Sequence, residues 1–320
     1  MFKIAVENIK NWIFVTGVIR SGSTFVGTVL SLPKEVDYIH EPFNPQCGLP
    51  CIDSWYPYLR NEPDTEDMKR YHLAISSIFS YDFTLRNKIP KEDASWKRNL
   101  KKVIGSRGPF NLRIAKLNPF HQAAIIKDPI GNLLSEYLHT NFNVKPVIII
   151  KHPLSFIASV KKVNWYPNPH EIGDKPELIA DYFQDEPDFF NKPRSERLLA
   201  AAAHWRVAYK VMLAQASKYP DWQVITHEEL SQNPVAIFRN LYDKLELPWS
   251  DKIETKIIEL TQNNSSTQAR KGRVQDFYRN SADIFKNRRD SLTKEERRAI
   301  FDIVEDIALK IYPKESFALE

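Results

Sequence analysis

The residues with the clearest chemical meaning lie between two glycines near the start of the chain. Gly17 and Gly22 enclose four residues, one of which is the cation Arg20. Residues 12–15 are aromatic or branched apolar residues, which predicts a buried strand, and residues 23–30 carry apolar positions at helical spacing. A glycine-bounded turn from a strand into a helix directs backbone N–H groups at an anion. The pattern predicts a bound phosphate or sulfate, and a glycine turn without a ligand is the alternative.

The same loop differs from a nucleoside triphosphate loop at one position. In a Walker A motif a lysine follows the second glycine and reaches the β- and γ-phosphates. Here Ser23 occupies that position, and the cation is displaced to Arg20 inside the loop. The loop therefore favours a nucleotide whose transferable group is not the end of a triphosphate.

A carboxylate follows the next predicted strand. Val36, Tyr38 and Ile39 predict a short strand that ends at Glu41, and Pro42 stops it. Ligands of open α/β sheets bind outside the carboxyl ends of the strands, so Glu41 is expected to face the same crevice as Arg20. The alternative is that Glu41 caps a turn or pairs with a surface lysine.

A lysine and a serine form a second candidate anion site. Residues 147–150 are an uninterrupted apolar run, as expected of a parallel strand covered on both faces, and Lys151 follows it. Ser159 comes eight residues later, about two turns into the next predicted helix. Such a pair can hold one dianion between a strand end and a helix. Taken alone, the two residues would favour the alternative of a solvated strand end and an ordinary helix serine.

Another lysine ends a further predicted strand. Residues 123–126 have a buried-strand pattern, and Lys127 and Asp128 follow them. Lys127 is expected either at the active site or in an ion pair with Asp128.

Apolar strands that alternate with helical segments define the expected fold class. The sequence predicts an α/β protein with a central parallel β-sheet flanked by helices on both faces, of the P-loop nucleotide-binding type. The 320 residues are expected to form a single domain, 1–320. Residues 45–118 lack a clear period and contain many prolines and aromatics, which predicts an insertion on the substrate side.

Composition excludes several classes of protein. With 42% apolar and 27% charged residues, the chain has enough material for a core and an ordinary surface. The formal charge of +5 is too small to indicate nucleic acid without a basic motif. Two cysteines, Cys47 and Cys51, cannot form a disulfide framework and are poor evidence for zinc.

The basic residues of the predicted insertion are concentrated in one stretch. This cationic run is predicted to be a solvated helix face, and contact with an acidic saccharide is the alternative. Its members are Lys97, Arg98, Lys101, Lys102 and Arg107.

Signals for export or membrane insertion are not apparent. Residues 1–10 lack the apolar core of a signal peptide, and no stretch approaches the ~18 apolar residues of a membrane span. These features predict a cytoplasmic protein.

The loop residues resemble a known family. The segment Arg20-Ser21-Gly22-Ser23-Thr24-Phe25 is similar to the 5′-phosphosulfate loop of the sulfotransferases that use 3′-phosphoadenosine 5′-phosphosulfate (PAPS). The resemblance implies that the basic residue and the following residues of this segment hold the 5′-phosphate and the sulfuryl group, and that Phe25 lies against the adenine.

Two other segments resemble motifs that bind the 3′-phosphate in that family. Lys151 and Ser159 have the spacing of an Arg-x7-Ser motif, with lysine in place of the family's arginine. Lysine keeps the charge but loses the bidentate fork. The triplet Arg270, Lys271 and Gly272 matches the Arg-Lys-Gly by which the cytosolic members close over the same phosphate.

The resemblance also implies a general base. Glu41-Pro42 matches the carbohydrate branch, in which a glutamate after the second strand takes the proton of the acceptor. Cytosolic small-molecule members instead place the base in a Lys-Thr-His motif. This chain keeps the lysine, Lys127, but has no histidine after it, which favours Glu41 and leaves Lys127 for the sulfuryl oxygens.

The function implied is transfer of a sulfuryl group from PAPS to a hydroxyl or amine of a carbohydrate or other small metabolite, with no metal required. Two alternatives remain at this point. One is a P-loop-type nucleotide kinase or NTPase, and the other is a non-catalytic nucleotide- or saccharide-binding protein. Neither a nucleic-acid partner nor a membrane span is expected.

Overall fold

The helices and strands form an α/β architecture. The computed structural model describes residues 6–62, 65–89, 95–186, 188–190, 196–262 and 291–320. The strands are β1 Asn11–Thr16, β2 Val36–His40, β3 Ala123–Lys127, β4 Val144–Ile150 and β5 Gln223–Thr226. The helices are α1 Ser23–Leu30, α2 Glu66–Phe79, α3 Ser95–Ile104, α4 Arg107–Leu117, α5 Ser135–Phe142, α6 Pro153–Val163, α7 His170–Gly173, α8 Pro176–Tyr182, α9 Arg197–Ala216, α10 His227–Gln232, α11 Pro234–Lys244, α12 Asp251–Gln262 and α13 Lys294–Ala308. Short 3-10 helices cover Val6–Asn8, Asn132–Leu134 and Lys314–Phe317.

The five strands form one parallel sheet in the order β2-β3-β1-β4-β5. All carboxyl ends therefore lie at the same edge. Along this edge, the end of β2 is followed in order by the ends of β3, β1 and β4. The predicted fold class, a central parallel sheet flanked by helices, is confirmed.

Side chains of the central strands alternate between the two faces of the sheet. Ile13 and Val15 of β1 pack with α1, α11 and α12 on one face. Trp12 and Phe14 point to the opposite face, where α2 and α5 cover them. Ile148 and Ile150 of β4 share that second face and pack against α6, α9 and α13. Helices on both faces explain why these strands have no polar side.

Two of the described helices begin with a capping box. Thr293 and Glu296 form a capping box at the start of α13. Thr226 and Glu229 do the same for α10. None of the helices in the described ranges combines the length and the apolar character that crossing a bilayer requires.

Candidate active site

The predicted glycine loop connects β1 to α1. Gly17 and Gly22 have φ angles of 142° and 107°, a region in which side chains are rarely found. A Cβ at Gly17 would lie 2.3 Å from the carbonyl oxygen of Ile149, and one at Gly22 would lie 3.0 Å from the ring of His227. Both glycines are therefore required by backbone conformation and by close approach. The loop also holds Arg20 at a φ of 64°.

The loop has features that fit a phosphate group. Ser21 is fully buried, and its Oγ has no hydrogen-bond partner among the described residues. Unpaired buried hydroxyls are uncommon in folded proteins and call for a partner. Helix α1 begins after Gly22 with no side chain capping it, and the N-terminus of a helix favours a bound anion.

The remaining residues of the predicted loop motif lie in the first turn of α1. Ser23 and Thr24 are buried. Phe25 is half-buried and packs edge-on against Phe238, with ring centroids 5.7 Å apart.

Two motifs that are distant in sequence meet at Arg20. The Nε of Arg20 donates to the Oγ of Ser159 at 3.3 Å, and the Nζ of Lys151 donates to the carbonyl oxygen of Arg20 at 2.9 Å. Lys151 and Ser159 are both buried. The indole of Trp205 donates to the carbonyl of Lys151 at 2.9 Å and fixes the strand end. Polar groups of the loop and of the Lys151 motif thus occupy one place at the sheet edge.

Glu41 and Lys127 form the second polar cluster of this edge. His40 and Lys127 are register partners on β2 and β3, so the residues that follow them lie side by side. The Nζ of Lys127 donates to Oε1 of Glu41 at 2.6 Å, and Nδ2 of Asn44 donates to Oε2 at 2.9 Å. The side chains of Lys127 and Glu41 are 2% and 17% exposed, so the pair is largely buried and is not a surface pair.

Asp128 has a different role from the one that its position next to Lys127 suggested. Its carboxylate accepts backbone N–H groups of Phe43 at 2.6 Å and of Ile130 at 2.8 Å. Asp128 therefore joins the segment after β2 to the segment after β3. The ion pair of Lys127 is with Glu41, and the alternative pairing with Asp128 is wrong.

The cluster has unusual proton affinities. Burial alone would raise the pKa of Glu41, but the charge of Lys127 and the hydrogen bonds from Lys127 and Asn44 outweigh it and lower that pKa to about 2. Burial, followed by the charge of Lys127, lowers the pKa of His40 to about 3. Burial and the charge of Glu41 raise the pKa of Asp128 to about 7. At neutral pH, Glu41 is an anion and His40 is a neutral imidazole.

His40 is a site residue that the sequence analysis missed. Its Nε2 lies 3.8 Å from Oε1 of Glu41, and its Nδ1 lies 3.2 Å from the hydroxyl of Tyr38. The residues that follow Lys127 include no histidine in the place where the resembled motif has one. The histidine of this site lies on the neighbouring strand β2. Its position was recognisable in the sequence, because His40 directly precedes Glu41.

The two polar clusters lie at neighbouring positions of one crevice edge. Glu41 follows β2, and the Arg20 loop follows β1, with β3 between them. At about 4.8 Å per strand, the strand ends are about 10 Å apart. Lys127 ends the strand between them, and Lys151 directly follows the strand on the far side of the loop. Of the predicted site residues, Arg270, Lys271 and Gly272 lie outside the described residues.

The sequence matches no family model and no curated protein. Solved structures give matches over most of the chain. The sulfotransferase domain from the Curacin biosynthetic pathway is 14% identical with a TM-score of 0.45, over 93% of this chain and 98% of that one. The sulfotransferase domain from the Synechococcus PCC 7002 olefin synthase is 13% identical with a TM-score of 0.44, over 94% and 95%. Mouse sulfotransferase SULT7A1 complexed with PAP is 13% identical with a TM-score of 0.40, over 97% and 88%. With identities this low, function has to be derived from the chain's own residues.

Proposed function

We propose that this chain is a sulfotransferase that moves a sulfuryl group from PAPS to a hydroxyl or amine of a small acceptor. The observation that carries the proposal is the meeting of two anion-binding motifs at Arg20, whose side chain contacts Ser159 and whose carbonyl contacts Lys151. A nucleotide with anionic groups at both its 5′ and 3′ positions can engage such a pair of motifs. The carboxylate of Glu41 at the same sheet edge supports transfer over binding alone.

The donor is assigned to the glycine-loop half of the edge. Arg20 and the segment 21–24 hold the 5′-phosphosulfate, with Oγ of Ser21 as a hydrogen-bonding group that lacks a partner within the described ranges. Lys151 and Ser159 hold the 3′-phosphate, and Phe25 contacts the adenine. The proposed closure of Arg270, Lys271 and Gly272 over the 3′-phosphate remains a prediction from the sequence. Helix-start amides and a nearby guanidinium are the groups that proteins use for such anions.

Glu41 is assigned as the general base that accepts the acceptor's proton. The acceptor oxygen forms a bond to sulfur while the bond between sulfur and the 5′-phosphate oxygen breaks, and the leaving phosphate keeps that electron pair. The acceptor's proton goes to the carboxylate of Glu41. As in phosphoryl transfer, positioning and charge stabilisation supply most of the rate, and general-base assistance contributes about 10²–10⁴-fold.

The ion pair explains how a carboxylate with a low pKa can act as a base. With the pKa lowered to about 2, Glu41 is a weak proton acceptor as long as Lys127 holds it. A sulfuryl group at the end of β3 offers Lys127 a competing anion. As the ammonium turns toward the sulfuryl oxygens, the pKa of Glu41 rises toward its ordinary value, and proton acceptance becomes more favourable.

The acceptor class is proposed from the carbohydrate-branch motif. Glu41-Pro42 occupies the end of β2, and Asn44 fixes the second carboxylate oxygen. A saccharide hydroxyl is the group we propose for this place, and the predicted substrate-side segment 45–118 is proposed to contact the rest of the acceptor.

The test is a comparison of nucleotides by thermal shift. Ligands that bind the folded state raise apparent stability by mass action. Adenosine 3′,5′-bisphosphate is expected to raise Tm more than ADP at equal concentration, because only the former engages Lys151 and Ser159 through a 3′-phosphate. Preference for ADP would contradict the proposal.

Two other outcomes identify the rival functions. Larger stabilisation by ATP with Mg²⁺ than by adenosine 3′,5′-bisphosphate would indicate a kinase or NTPase. A panel of saccharide and small hydroxyl acceptors incubated with sulfur-labelled PAPS tests turnover directly. Binding of the bisphosphate without label transfer to any acceptor would indicate a non-catalytic nucleotide-binding protein.

A further inference from the structure

Helix α3 presents an apolar stripe to solvent. Trp96, Leu100 and Val103 are 64%, 48% and 72% exposed, and their spacing places them on one face of the helix. None of the residues of α3 is buried. A stripe of this kind normally packs against the core, so its exposure indicates a surface that another molecule covers.

Helix α4 carries a second exposed stripe with the same spacing. Phe110, Ile114 and Leu117 are 40%, 53% and 81% exposed. The core side of α4 is formed by Gly108, Leu112 and Ala115, which are buried on the opposite face. Helix α4 is therefore apolar on both faces, and only one of them is used by the fold.

The two stripes belong to one structural unit. Only Gly105 and Ser106 separate the helices, and Nη1 of Arg113 donates to the carbonyl of Val103 at the end of α3 at 2.8 Å. This hydrogen bond joins the carboxyl end of α3 to the middle of α4. We call residues 95–117 the α3–α4 hairpin.

The charge of the α3–α4 hairpin is entirely positive. Seven of its residues are Lys or Arg, and it contains neither Asp nor Glu. Its charge of +7 exceeds the +5 of the whole chain. On α4, the helical period places Arg107 and Arg113 on either side of the exposed stripe. The cations are Lys97, Arg98, Lys101, Lys102, Arg107, Arg113 and Lys116.

We propose that the α3–α4 hairpin docks on the surface of an anionic lipid bilayer. Exposed large apolar side chains next to Lys and Arg are the composition of helices that lie in the membrane interface, where apolar groups enter the acyl boundary and cations meet the headgroups. Long cationic side chains can reach the headgroups while their stems stay on apolar surface. Docking of this kind needs no spanning helix.

Other binding partners would match either the apolar stripes or the cations of the hairpin, but not both. A second copy docked by the same face would bring two hairpins of +7 charge together, which like-charge repulsion opposes. An acidic saccharide would pair with the cations but would leave the two apolar stripes in water. An anionic bilayer is complementary to both features.

Helix α4 also lies next to the segment that carries Glu41. A Cβ at Gly108, in the first turn of α4, would lie 3.5 Å from the carbonyl oxygen of His40 and 3.7 Å from that of Cys47. The hairpin thus adjoins the segment that carries Glu41. Because Gly108 lies on the face of α4 opposite the exposed stripe, docking would hold the acceptor side of the site about one helix diameter (~10 Å) from the bilayer. An acceptor that projects from a lipid surface would reach it there. This consequence rests on the proposed function, whereas the docking itself does not.

The test is sedimentation of the protein with lipid vesicles. Vesicles of phosphatidylcholine with phosphatidylglycerol are compared with vesicles of phosphatidylcholine alone, at low and at high salt. Wild-type protein is expected to bind the anionic vesicles at least tenfold more tightly, and salt should weaken this binding. The variant with Trp96→Ser, Val103→Ser and Leu117→Ser is expected to lose at least tenfold in affinity. These side chains are exposed, so the substitutions leave the core intact.

Matched controls separate the hairpin from the rest of the surface. Leu73→Ser with Leu309→Ser removes two apolar side chains of 71% and 46% exposure outside the hairpin and should leave vesicle binding unchanged. Lys97→Gln with Lys102→Gln is expected to weaken binding about fivefold for each charge removed. Lys252→Gln with Lys256→Gln removes the same charge from α12 and should have a smaller effect.

Three outcomes would overturn the proposal. They are equal binding to neutral and anionic vesicles, unchanged binding of the triple variant, and a wild-type dimer in solution that the triple variant dissociates. The Tm increment caused by adenosine 3′,5′-bisphosphate should be the same in wild type and triple variant. Loss of vesicle binding with an intact increment would separate docking from nucleotide binding.

Discussion

The Nζ of Lys127 lies 2.6 Å from Oε1 of Glu41. Lys127 is the last residue of β3, and Glu41 directly follows the neighbouring strand β2. The pair couples the proposed base to a cation placed beside the proposed sulfuryl position. Its two members should therefore be separable by experiment: Glu41 through proton acceptance, and Lys127 through charge stabilisation and through the pKa of Glu41.

Replacing the proposed base should abolish most turnover. Glu41→Gln keeps the size of the side chain and removes the proton acceptor, so turnover should fall by about 10²–10⁴-fold. The dissociation constant for adenosine 3′,5′-bisphosphate should change little, because the nucleotide is assigned to the loop after β1. Steady-state kinetics and calorimetric titration measure the two quantities. Glu66→Gln, at a side chain that is 91% exposed, is the matched control, and an unchanged rate in Glu41→Gln would refute the assignment.

The ion pair should show strong coupling in a double-mutant cycle. Removing one partner of a buried pair leaves the other charge uncompensated, so Glu41→Gln is expected to cost about 3–5 kcal/mol of unfolding free energy. Adding Lys127→Met to Glu41→Gln should recover part of that loss, because the uncompensated ammonium is then absent. Urea unfolding of the two single variants and the double variant measures the coupling. Additive effects within about 0.5 kcal/mol would show that the pair does not interact in solution.

The same pair should give a specific pH dependence of stability. The pKa of Glu41 is lowered from 4.5 to about 2 in the fold, so the unfolded chain binds this proton first as pH falls. The stabilisation is fully present above pH 4.5 and is lost as pH falls toward 2. Lys127→Met lacks it, so the stability difference between wild type and variant should shrink across that window. Urea midpoints measured between pH 2 and 7 test this, and a difference independent of pH would contradict the lowered pKa.

The parts of the site that are predictable from sequence are those governed by local rules. Gly17 and Gly22 are identifiable because only glycine tolerates their φ angles and close contacts. Strands β1 and β4 are identifiable because burial on both faces demands continuous apolar residues. The pairing of Glu41 with Lys127 depends on β2 lying beside β3, and strand order is not encoded in any single segment.

Helix α4 was not apparent from the sequence for a different reason. In α4, Leu112 and Ala115 face the core while Ile114 and Leu117 face solvent. Apolar residues on two faces cancel the helical period on which the prediction depends. The exposed apolar residues of α4, which weaken its helical periodicity in the sequence, also form part of the proposed docking surface.

Lys151 should discriminate nucleotides by their 3′-phosphate. Lys151→Met removes the charge assigned to that group, so binding of adenosine 3′,5′-bisphosphate should weaken about 10–100-fold, the effect of one charge-assisted hydrogen bond. Binding of AMP, which lacks the 3′-phosphate, should change much less. Lys151→Arg keeps the charge and adds a bidentate fork, so it should retain or improve bisphosphate binding. Equal weakening for both nucleotides in Lys151→Met would place the lysine at another part of the ligand.

His40 provides the test of which group takes the proton. Its imidazole is buried and neutral, and its Nε2 lies 3.8 Å from the carboxylate of Glu41, so it is the nearest rival base. If Glu41 is the base, His40→Gln should keep turnover within about tenfold of wild type, because glutamine preserves a polar side chain beside the carboxylate. Burial and Lys127 lower the pKa of His40 to about 3, so His40 should not titrate near pH 6.5. The pH profiles of kcat/KM for wild type and His40→Gln should therefore not differ by an inflection near that pH. A loss of turnover as large as that of Glu41→Gln, together with the disappearance of such an inflection, would transfer the role of base from Glu41 to His40.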